Sequence, residues 1–166
     1  MLGADISKDR PKADELEKLS WKVRPRQKNK GTVDRVMKEF HEKVQKARGS
    51  QELKKVIREY SRKLERVEVE LDKKVPKVGI VGEIYTVIEP FVNMRISEKL
   101  GNMGVGVDKS ITVSYWIIEH LIKEALHLHN KKGIERAAYP YLKSFVGGHG
   151  QESIANTVIY KEKGYD

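Results

Sequence analysis

Cysteine is absent from all 166 residues. That excludes disulfides, thiolate nucleophiles and cysteine-ligated metals within the chain. Aromatics make up only 7%, and before residue 76 there are just Trp21, Phe40 and Tyr60. A surface that stacks bases interleaves aromatics with basic residues, and this half has too few for that. No apolar run approaches the roughly 18 residues of a membrane span. The opening "MLGADISKDRPKADELEK" lacks the apolar centre of a secretory leader. No G-K-[ST] phosphate loop, hydrolase elbow G-x-S-x-G or internal repeat occurs. The expectation is a cytoplasmic chain of one domain with an appendage, without a membrane partner.

What is abundant is charge, and it is unevenly placed. Residues 1–75 hold 22 of the 33 Lys+Arg and 14 of the 24 Asp+Glu, a balance of +8. Residues 76–166 hold the other 11 and 10, a balance of +1. A basic half can mark nucleic-acid contact. Its acids are intermixed with its bases, as on a solvated helical face, so nucleic acid is not the expected partner.

Three segments follow from the residue pattern. Residues 1–31 read as an extended arm or linker, ending in the polar, basic "RPRQKNKG". Residues 32–75 read as a helical hairpin. Val33, Val36, Met37, Phe40 and Val44 recur at helical spacing, with Thr32 as a cap. After "RGS", Leu53, Val56, Ile57, Tyr60 and Leu64 do the same, with Ser50 as a cap. Residues 76–166 read as a truncated Rossmann-like α/β lobe. "KVGIVGE" (77–83) has the apolar, β-branched character of a buried parallel strand. A helix is expected from about Pro90 to Leu100, and a second strand at "VGV" (105–107). Then come a helix capped by Ser114, a short helix broken by Pro140, and a last helix from Gly150 carrying Ile154, Val158 and Ile159 inward.

In an open α/β sheet, ligands bind beyond the C-terminal ends of the strands. Glu83, Tyr85 and Glu89 fall there, either as binding groups or as a helix cap with packed neighbours. "FVGGHGQES" approaches the last helix. Its G-x-G-x-x-S falls short of a dinucleotide fingerprint. A helix start can still hold an anionic ligand group, with His149, Gly150, Gln151 and Ser153 as candidates. The alternative is a tight loop that lets the helix pack closely. His120, Glu124 and His127 share a helix face, but their spacing is not that of a zinc site, so no metal is expected.

"GEIYTVIEPF" and "GGHGQES", within a stretch running from about Trp21 to Asp166, resemble the 2-hydroxyacyl-CoA dehydratase D-component family. The nearest likeness is to its activase-related members. The resemblance implies lobes of parallel sheet wrapped by helices, and a [4Fe-4S] cluster held by cysteines of those lobes. It implies one-electron removal of water from a 2-hydroxyacyl-CoA, with an ATP-hydrolysing activator as partner. This chain has no cysteine and stops before the family's cysteine-bearing loop. It is therefore expected to be a fragment, without catalysis or cofactor of its own. The expected partners are the other lobes, the dehydratase or activator subunits, or a second copy paired along an exposed strand edge. A module that binds CoA or another anion is the alternative reading.

Overall fold

The computed structural model describes residues 10–117, 132–143 and 150–165. The chain is mixed α/β, mostly helical, with a two-stranded parallel sheet. It divides into two compact units. One is Met1–Val75 with Ser97–Gly106, and the other is Pro76–Ile96 with Val107–Asp166.

The first unit is built on three helices, α1 (Arg10–Val23), α2 (Thr32–Lys46) and α3 (Gly49–Glu65). α1 corrects the expected arm, because residues 10–23 are helical rather than extended. Ala13, Leu16, Leu19 and Val23 lie three or four residues apart and form a thin apolar stripe. Leu16 is fully buried in the core with Ile57, Tyr60 and Leu64 of α3. Such burial contributes about 1.5–3 kcal/mol per large aliphatic side chain, which the local sequence alone does not reveal. The helix then tightens into a 3-10 turn at Arg24–Arg26, where Pro25 supplies the fixed φ.

α2 and α3 pair as the periodicity predicts. Val33, Met37 and Phe40 of α2 meet Ile57, Tyr60 and Leu64 of α3 in one cluster. The Phe40 and Tyr60 rings lie 5.7 Å apart and tilted, a favourable aromatic arrangement. The caps differ from expectation. Gly31 in the left-handed region precedes α2, and Arg48 precedes α3. Thr32 and Ser50 are already inside their helices.

The sheet pairs β1 (Lys77–Ile80) with β2 (Gly106–Lys109); β1 starts where predicted and ends three residues sooner, and β2 is shifted by one to two residues. Between them the single helix expected from Pro90 is replaced by two short ones, α4 (Ile84–Ile88) and α5 (Ile96–Asn102). The reason is local. Glu83 caps α4 early, and Met94 and Arg95 take φ values of 52° and 53°, which no continuous helix allows. α6 (Val113–Ile117) begins one residue before Ser114. The Thr112 hydroxyl, not Ser114, accepts from the Tyr115 N–H at 3.4 Å. Most of the long helix expected after Ser114, with His120, Glu124 and His127, lies outside the described residues.

α7 (Lys132–Ala138) packs on α8 (Gly150–Glu162). On α8 the fully buried residue is Ala155, whereas Ile154, Val158 and Ile159 are half-buried. Ile154 and Val158 instead line an open cavity of about 640 Å³ with Tyr141, Thr157, Lys161 and Glu162.

Candidate functional site

Packing of α8 on β1 sets the frame for the predicted residues. Gly79 in β1 has no side chain, and the Tyr160 ring of α8 lies directly on it. A Cβ built at Gly79 would come within 2.5 Å of Tyr160 Cδ2. Five residues later the Tyr165 ring sits beneath Lys77 Nζ, at 5.6 Å, at the start of the same strand. α8 thus packs on β1, and Glu83, Tyr85 and Glu89 follow the C-terminal end of that strand.

Each residue at that end has a definite local role. One Glu83 carboxylate oxygen accepts from the N–H groups of Tyr85 at 2.8 Å and Thr86 at 3.4 Å. The Thr86 hydroxyl returns a bond to the Glu83 carbonyl at 2.7 Å. This is an N-cap, the second of the two roles the sequence left open, and it is worth about 1 kcal/mol. Tyr85 is 60% exposed, so it is not a packed neighbour but is open to a ligand. Glu89 accepts from the Phe91 N–H at 3.2 Å and closes the turn that follows. Gly150 opens α8, with Gln151 and Ser153 half-buried in its first turn. The Ser153 carbonyl accepts from the Thr157 hydroxyl at 2.8 Å. His149 lies outside the described residues.

Glu83 and Tyr85 put one carboxylate and one phenol just past the end of β1, and Gln151 and Ser153 put an amide and a hydroxyl in the first turn of α8, with no cation among them. Such a set suits hydrogen-bonded recognition of a neutral carbonyl or hydroxyl better than tight capture of a bare phosphate. It does not fit a [4Fe-4S] cluster, whose usual ligands are cysteine thiolates, and the chain has none. Among the described residues no group of three or more His, Asp or Glu could hold a metal ion. No helix among them is long and apolar enough to cross a membrane.

No protein-family model, curated protein or solved structure matches the chain.

Where α8 ends against the sheet lies a cluster the sequence did not suggest. α8 closes with Gly164 at φ 74°. The Tyr165 N–H bonds the Tyr160 carbonyl at 3.0 Å, and the Gly164 N–H bonds that of Lys161 at 3.0 Å. This double closure needs glycine at the left-handed position and brings together the side chains on either side of it. The Tyr160 and Tyr165 rings accordingly sit 5.0 Å apart. The signal was "KGYD", where a glycine follows a helix and an aromatic follows the glycine.

Both phenols are pushed up from their ordinary pKa. For Tyr160 the chief cause is burial, followed by the Asp108 carboxylate on β2 and then Tyr165. For Tyr165 it is again burial, then Asp108, to which it also hydrogen-bonds. Their folded-state values exceed the unfolded value of about 10. The folded chain therefore holds these protons more tightly. The resulting stabilisation is complete below pH 10 and is lost as the pH rises through the folded values. Urea midpoints measured from about pH 8 to 11 should fall at the alkaline end, and Tyr160→Phe should flatten that fall. An equally steep fall in the variant would show that other groups control it.

Proposed function

We propose that this chain is a Rossmann-like, cluster-free lobe of a protein related to the 2-hydroxyacyl-CoA dehydratases and their activases. In this reading it supplies part of an acyl-CoA-facing surface and performs no elimination itself. The observation that supports it is a parallel strand pair with α8 packed on β1 through Tyr160 and Gly79, and Glu83 and the exposed Tyr85 just past the C-terminal end of β1. That is where open α/β folds receive ligands. The exposed Tyr85 there suits hydrogen bonding to the carbonyl or hydroxyl of a 2-hydroxyacyl thioester. Half-burial of Val78, Gly79 and Ile80 also supports it, since a parallel strand within a complete sheet is buried on both faces. The other lobes of such a protein, its dehydratase or activator subunits, or a second copy would cover that strand. The cluster and the electron it delivers belong to those lobes or subunits, because a second copy would lack cysteine as well.

Titration calorimetry with a 2-hydroxyacyl-CoA tests this. Saturable binding is expected, weaker for free CoA, with no water eliminated. Equal binding of the thioester, free CoA and pyrophosphate would favour a simple anion-binding module at the start of α8. Elimination by the chain alone, or no binding of the thioester, would overturn the proposal.

A further inference from the structure

Helix geometry sorts the intermixed charges of the first unit. At 100° per residue, Lys54, Lys55, Arg58, Arg62 and Arg66 of α3 and its C-cap fall within a sector of about 120°. All five are exposed. The row extends roughly 18 Å along the helix. Glu65 is the one acid inside the sector, and Glu15 of α1 stands beside Lys54 and Arg58 at one border, in a cleft between the two helices. The other acids of α3, Glu52 and Glu59, lie outside the sector, and Glu59 pairs with Lys63 at 3.1 Å. Among the described residues no ion pair engages Lys55, Arg58, Arg62 or Arg66.

We propose that this face of α3 binds the phosphate backbone of a nucleic-acid duplex, without reading its sequence. The charge is complementary and rigidly spaced, and three of the five groups are arginines, whose planar fork matches phosphate oxygens. The choice of a duplex over a single strand rests on what the face lacks. It carries no aromatic side chain on which an unpaired base could stack. The choice over a lipid surface rests on the apolar face of α3. Ile57, Tyr60 and Leu64 are buried in the hairpin core, so the helix has no apolar side free to enter a bilayer interface.

Fluorescence anisotropy with labelled DNA and RNA duplexes of about 20 base pairs, across a salt series, tests this. Binding is expected to both, with log affinity falling against log salt with a slope of about −4. The variant R58Q/R62Q/R66Q should lose about a hundredfold in affinity at 0.1 M salt, and its slope should shrink by about 2 to 3. The variant K38Q/K43Q/K46Q removes the same charge from exposed positions on α2 and should change affinity by no more than about threefold. Circular dichroism should show both variants folded, since every altered side chain is exposed. Equal losses in the two variants would make the effect one of net charge and overturn the proposal. Absence of duplex binding, or tighter binding to single strands or phosphatidylserine vesicles than to duplex, would overturn it as well.

Discussion

Replacing Asp34 with alanine should destabilise the first unit by about 1–3 kcal/mol, because it leaves a buried arginine without its carboxylate. Arg24 is 3% exposed, and its Nε donates to Asp34 Oδ1 at 2.8 Å. The other carboxylate oxygen accepts from Asn102 Nδ2 at 2.6 Å. Asn102 Oδ1 accepts from Gln27 Nε2 at 3.1 Å, and Gln27 Oε1 accepts from the Val33 N–H at 3.0 Å. One carboxylate thus ties the 3-10 turn, the start of α2 and the end of α5 together. An exposed ion pair would be worth less than about 1 kcal/mol. The difference lies in Arg24, which is buried while Asp34 is about one-third exposed. Urea unfolding of Asp34→Ala should show the loss, and Arg24→Met with Asp34→Leu should recover most of it, because no charge is then left buried. If the single variant lost less than about 1 kcal/mol, Arg24 would have to find solvent or another acceptor, and this account of the unit would fail.

Gly79→Ala should cost up to about 3 kcal/mol in the second unit. Alanine in a strand normally gains about 0.5–1 kcal/mol over glycine. Here the new methyl would meet Tyr160 Cδ2, Cγ and Cε2 at 2.5, 2.7 and 3.0 Å. The ring is flat, half-buried and held against Tyr165, so it cannot swing aside as a flexible chain end would. Overlap therefore outweighs the backbone gain, and α8 must lift from β1. Thermal unfolding of Gly79→Ala reads the loss, and adding Tyr160→Ala should remove the overlap, so the pair should cost less than the sum of the two single changes. A fully stable Gly79→Ala would mean that α8 does not rest on β1 as described.

Much of this molecule could be read from the chain itself. The hairpin of α2 and α3 follows from apolar residues repeating every three or four positions. Both strands show as short β-branched runs, and α8 begins at the predicted glycine. Each of these signals is local, since periodicity and turn chemistry act over a few residues. α1 was missed because its stripe is thin and its charged residues are many, so it becomes a helix worth forming only when Leu16 has α3 to bury against. The role of Glu83 was open in the sequence because a carboxylate before a short helix reads the same whether it caps or binds.

Where the backbone could coil or extend, and which half carries the positive charge, is already written in the residues. Which distant groups meet is settled by packing. Arg24, Asp34 and Asn102 are brought together across up to 78 positions of chain, as are Gly79 with Tyr160 and Asp108 with Tyr165. Such pairings depend on how helices and strands stack to hide apolar surface, and no short window of sequence records that.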